Sequence, residues 1–167
     1  MKHIAIILPL FIFSISAFAV PISIPNASFE AFLVNEGFDS DGLVNGQMAD
    51  TEVLSMTNLN CANDLSITGN VDLKEFSNLE AINIRGSGIG SIDITGLISL
   101  VHLDIGGPNI ITVDLSTNNS LEFLGLWEGI EYIDLSQNLN LINFYASFTE
   151  LKFLDLSNNI NITWCQI

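Results

Sequence analysis

The chain has 167 residues, with 19 acidic and 4 basic side chains and a formal net charge of −15 at neutral pH. A surface this acidic repels nucleic acid and anionic lipid and excludes both as partners. Apolar residues make up 49 % of the sequence, enough to build the core of one domain of this length.

Residues 1–19 have the form of a secretory signal peptide. Met1-Lys2-His3 is a short basic start, Ile4 to Phe18 is almost wholly apolar, and Ala17-Phe18-Ala19 is an A-x-A cleavage site. The apolar run is short for a membrane span, and no cysteine follows the small residues, which argues against a lipoprotein. Cleavage removes one basic residue and no acid, leaving Lys74, Arg85 and Lys152 against all 19 acids. The charge serves solubility, and it also suits the collection of cations.

Residues 20–56 read as an N-terminal cap. Asn26 is placed to N-cap a helix whose Phe29, Phe32 and Leu33 fall on one face, and Gly37 stands where a C-terminal cap would stop it. A second short helix is predicted from about Ala49 to Leu54. Between them lie Asp39, Asp41 and Asn45, in Asp39-Ser40-Asp41-Gly42 and Asn45-Gly46. Alternating acids on a tight turn resemble part of a calcium loop. The spacing departs from an EF-hand, because Gly37 and Met48 fall where the first and last ligands belong. Calcium is therefore one reading of this loop, and an Asx-rich turn without metal is the other.

Residues 57–167 read as a solenoid. The first strand holds Met56, Leu59 and Cys61, and Ile67, Leu73 and Phe76 lead into a repeat of 21 residues that starts at Leu79. Its rows are LEAINIRGSGIGSIDITGLIS, LVHLDIGGPNIITVDLSTNNS, LEFLGLWEGIEYIDLSQNLN (one residue shorter) and LINFYASFTELKFLDLSNNIN. A fifth row begins at Ile162. Each row has two halves, L-x-x-L-x-L and I-x-x-I-D-L, with Gly-, Asn- or Ser-rich bends between them. The pattern predicts a flat coil with a short strand on each side, so that stacked coils make two parallel sheets. Asn118, Asn138 and Asn159 recur after the second strand and are expected to satisfy turn backbone groups, while Leu97 replaces them in the first row. The last coil is incomplete and no C-terminal cap follows it, which reads either as a truncated or split chain or as an exposed end that pairs with another molecule. Cys61 and Cys165 both fall on apolar positions and are expected to be buried thiols. About five coils at roughly 4.8 Å each hold them too far apart for a disulfide.

LVHLDI, IEYIDLSQN and LKFLDLSNN resemble leucine-rich-repeat segments, and their alternation with I-x-x-I-D-L-S-x-N is similar to a group of secreted bacterial leucine-rich-repeat proteins distantly akin to internalins. The resemblance covers essentially all of the chain after the signal peptide. It implies a β-rich solenoid with a helical cap, placed outside the cell or on its surface.

Two outward surfaces carry polar or aromatic residues. Asp93, Asp114, Asp134 and Asp155 form a ladder, with Thr95, Ser116, Ser136 and Ser157 two residues on as hydroxyl donors. The ladder is either structural or an acidic binding strip. The other side varies from coil to coil. Its columns run Ala81, His102, Phe123, Asn143, then Asn83, Asp104, Gly125, Tyr145, then Arg85, Gly106, Trp127, Ser147. Architecture does not dictate these residues, so a partner-binding site is expected here, at Arg85, His102, Asp104, Phe123, Trp127 and Tyr145. The competing expectation is that the rings pack on one another.

Enzyme chemistry finds little support. His102 is the one histidine left after signal removal, no zinc-type cluster or G-x-S-x-G occurs, and Gly86-Ser87-Gly88-Ile89-Gly90 lacks the later glycine of a dinucleotide motif. The expected function is non-catalytic recognition of an extracellular protein or glycan, with a spacer or calcium-loaded scaffold as the alternative.

Overall fold

A computed structural model describes residues 19–167, so the proposed signal peptide, apart from Ala19, lies outside the described residues. The N-terminal cap runs β1 (Pro21–Ser23), α1 (Ala27–Asn35), β2 (Gln47–Ala49) and α2 (Asp50–Val53). β1 and β2 pair antiparallel. Asn26 Oδ1 accepts the N–H groups of Ser28 and Phe29 at 3.1 and 3.0 Å, which fixes the start of α1. The same side chain donates through Nδ2 to the carbonyls of Thr68 and Asn70, both at 2.8 Å, so one residue caps the helix and ties it to the first coil. At the far end Gly37 adopts φ +76°, its N–H reaches Val34 O, and Phe38 N–H reaches Leu33 O. This is a Schellman stop. Phe29, Phe32 and Leu33 are buried, and Phe29 meets Phe76 edge-on at 6.1 Å between ring centroids.

The solenoid continues with β3 (Asn58–Asn60), β4 (Gly69–Asp72), β5 (Ala81–Asn83), β6 (Ile89–Asp93), β7 (His102–Ile105), β8 (Phe123–Leu126), β9 (Asn143–Tyr145) and β10 (Trp164–Gln166). One side of every coil joins a six-stranded parallel sheet in the order β3-β5-β7-β8-β9-β10. Its register stacks Leu59, Ile82, Leu103, Leu124, Phe144 and Cys165 in one inward column. The first five of these are wholly buried. A fixed period therefore becomes a continuous core, each coil burying its leucines against the next.

The second side is less regular than expected. β4 pairs with β6, and beyond them the described coils meet through a bridge between Thr112 and Tyr132 and through single backbone bonds such as Glu150 N–H to Ile130 O and Lys152 N–H to Glu131 O. Each of Asp93, Asp114, Asp134 and Asp155 accepts the backbone N–H two residues on, at 2.8 to 3.1 Å, which turns the chain and ends the extended run.

Two further expectations need correction. The buried asparagines do not bond through their side chains within their own turns. Asn118 Nδ2 donates to Ile94 O and Leu97 O, Asn138 Nδ2 to Leu115 O and Asn118 O, and Asn159 Nδ2 to Leu135 O and Asn138 O. Every bond reaches back one coil, so the asparagines form an internal ladder. Of the cysteines only Cys61 is buried, and burial pushes its thiol up to about 12. Cys165 is exposed, because it sits on β10 and no described strand lies outside it.

Candidate recognition face

The outward face of the six-stranded sheet brings the variable columns together in the expected register. Ala81, His102, Phe123 and Asn143 stand side by side, as do Asn83, Asp104, Gly125 and Tyr145. His102 stacks on Phe123 with centroids 4.1 Å apart and planes within 5°. Trp127 stacks on Tyr145 at 6.2 Å and 15°, and the Arg85 guanidinium lies 4.4 Å from the Trp127 ring centroid. A cation over an indole face is attracted by the ring quadrupole. Tyr145 in turn meets Trp164 at 4.5 Å, tilted by 59°.

Asp104 joins the two groups of rings. Its Oδ2 lies 3.0 Å from His102 Nε2, and its Oδ1 accepts the indole N–H of Trp127 at 2.9 Å. All six residues expected at the site are therefore in one connected cluster. The competing expectation also holds in part, because the rings do pack on one another. They remain partly open to solvent, with the His102 side chain 43 % exposed and Trp164 45 %.

Glycine makes this packing possible at two places. A Cβ on Gly125 would strike Asp104 Oδ1 and crowd Trp127 Nε1. A Cβ on Gly106, whose φ is +154°, would collide with the backbone and Cβ of Trp127. A glycine inside a strand marks a close approach, and at Gly125 on β8 the approaching groups are the Asp104 carboxylate and the Trp127 indole.

Among solved structures, an internalin (InlF) from Listeria monocytogenes is similar over 91 % of this chain, with a TM-score of 0.66 and 22 % sequence identity. The fold is that of an internalin leucine-rich-repeat solenoid. This chain spans 46 % of that internalin's length. The functional domain of InlJ from the same organism matches 89 % of this chain and 48 % of its own length, at 17 % identity and a TM-score of 0.35. No family model matches the sequence, and no curated protein matches it. No helix among the described residues is long and apolar enough to cross a membrane.

In the cap of this internalin-type solenoid, the acidic loop is held by its own hydrogen bonds. Asp41 Oδ1 accepts Leu43 N–H at 2.7 Å and Oδ2 accepts Asn45 Nδ2 at 2.8 Å, while Asn45 Oδ1 accepts Gln47 N–H at 2.9 Å. Asp39 Oδ1 faces Asp41 N–H at 3.4 Å, and its buried Oδ2 has no partner among the described residues. Burial, with Asp41, Glu52 and Glu30 nearby, raises the Asp39 pKa. Among the described residues no three His, Cys, Asp or Glu side chains are grouped so as to hold a metal. The donors present shape a turn.

Asp93, Asp114, Asp134 and Asp155 all have lowered pKa values, set mainly by hydrogen bonds from Thr95, Ser116, Ser136 and Ser157. At one end Lys74 Nζ lies 3.0 Å from Asp72 and 3.4 Å from Asp93.

Sequence reasoning missed two residues. Trp164 extends the outward column through Asn143, a position that follows from counting the fifth row from Ile162. Glu30 is buried and its Oε1 accepts the N–H groups of Asn45, Gly46 and Gln47 at 3.0, 2.6 and 2.9 Å. No local signal marks it, since its partners lie 15 to 17 residues away.

Proposed function

We propose that this chain is a non-catalytic recognition module that binds an extracellular protein or glycan through the outward face of its six-stranded sheet. The observation that carries the reading is the row Arg85, Trp127, Tyr145 and Trp164, with His102 on Phe123 beside it. The repeat needs only its inward leucines and buried asparagines to fold, so large rings on the solvent side call for another use. Partly exposed aromatics and arginine, held in place by neighbours, supply contact area at little entropic cost on binding. Secretion follows from the leader-like residues 1–19 and suits an acidic, soluble surface.

The test compares the wild-type chain with Trp127→Ala on panels of extracellular protein domains and of glycans. The proposal expects far-UV circular dichroism to be unchanged and any selective binding to fall about tenfold or more, as for removal of an interface anchor. Asp134→Ser, on the other side of the coil, serves as the control and keeps wild-type binding. Binding that follows Asp134 and ignores Trp127 would overturn the assignment, and collapse of the Trp127→Ala fold would make the ring a structural element.

A further inference from the structure

We propose that Asp104 is a positioning residue of this face: one carboxylate sets both aromatic pairs and couples them. The inference rests on the recognition reading, and it adds how the surface is kept in shape before any partner arrives. Asp104 lies on β7. One oxygen holds His102, two residues earlier on the same strand, and the other holds Trp127, which follows β8 in the next coil. A carboxylate only accepts, so both ring nitrogens facing it carry protons. His102 is thereby turned flat onto Phe123, and Trp127 is drawn across Gly125 to where Arg85 and Tyr145 flank it.

Strand pairing does not require this bond. β7 and β8 are already in register through four backbone pairs, and Asp104 stands opposite Gly125 in one of them. The Asp104 side chain is 17 % exposed. Desolvating it is unfavourable unless its donors compensate. Glycine at 125 in turn costs strand stability and leaves the room that Asp104 and Trp127 need. Three positions in two coils are thus committed to one bond network whose product is ring orientation.

The experiment follows hydrogen exchange of the Trp127 indole N–H by NMR of the free, folded chain, with Trp164→Phe used to assign the two tryptophans. In Asp104→Ala, exchange should quicken by about tenfold or more, the loss expected for a hydrogen bond to a charged acceptor. The His102 ring resonances should move in the same variant. Asp104→Asn should restore slow exchange, because its amide oxygen still accepts from Trp127 while its NH2 meets a neutral His102 nitrogen. Unchanged exchange in Asp104→Ala would overturn the proposal, as would an Asp104→Asn variant no slower than Asp104→Ala. If Asp104→Ala does not fold, Trp127→Phe reads the coupling from the other end: displaced His102 resonances support it and unmoved ones refute it. These readouts need no partner, so they fail or succeed independently of whether the face binds a protein or glycan.

Discussion

Glu30 and Asp39 are both buried in the N-terminal cap, and their oxygens are used differently. Glu30 Oε1 gathers three backbone N–H groups and thereby closes the loop onto α1. Charge-assisted bonds of this kind offset the desolvation of a carboxylate. Asp39 has one long bond from Asp41 N–H and a second oxygen with no partner among the described residues. Its pKa is raised first by burial, so folding favours the protonated form. The sign follows from linkage. A carboxyl with a raised folded pKa weakens the fold as pH rises from the unfolded value of 3.8 through the folded one. Asp39→Asn keeps the oxygen that faces Asp41 and removes the charge. It should raise stability at pH 7 by roughly 1 kcal/mol, a low value for relieving an unsatisfied buried group. The gain should vanish in urea denaturation below pH 3.8. Destabilisation by Asp39→Asn at pH 7 would mean that the charged form has a partner, and a cation supplied with the protein would be the first to test.

At the scale of elements, the buried asparagine ladder holds one coil to the next. Asn138 donates to two carbonyls of the preceding coil and is wholly buried. Asn138→Ala leaves both carbonyls without that donor and should cost about 2–3 kcal/mol in chemical denaturation. A loss below half a kilocalorie would show that water replaces the amide. That these amides serve the backbone was legible because Asn118, Asn138 and Asn159 recur at the coil period, but that they reach back to the preceding coil was not. The cap helix was legible for a similar reason, since Asn26, Phe29, Phe32, Leu33 and Gly37 lie within one local stretch and carry its start, face and stop. Contacts that cross between coils without a repeating signal were not legible. The Trp127 bond to Asp104 depends on the missing side chain of Gly125, and sequence spacing says nothing about which way an indole turns. The second side was legible as a parallel face, but how far its pairing runs was not: β4 and β6 pair as strands and the next coils meet through the Thr112–Tyr132 bridge.

Over the whole molecule, a one-dimensional stack concentrates like charges into lines. Asp114, Asp134 and Asp155 occupy successive coils, and the neighbours Asp114 and Asp155 push the Asp134 pKa up while the bonds from Ser136 pull it down. The bonds win, since all four ladder aspartates end with lowered values. An acid whose folded pKa lies below its unfolded one stabilises the fold above the unfolded value of 3.8, and that contribution disappears as pH falls through the folded value. The ladder should therefore set the acid limb of the stability curve, in the sense opposite to Asp39. Asp114→Asn with Asp134→Asn retains an oxygen for each Ser N–H and removes both charges. Urea denaturation should find this double variant less stable than wild type at pH 7, with the two curves converging below pH 3.8. If the gap persists in acid, the difference lies in side-chain geometry and not in ionisation. If the variant is the more stable at pH 7 and salt erases the difference, repulsion along the strip outweighs the turn bonds, and the acidic line would need a purpose other than folding.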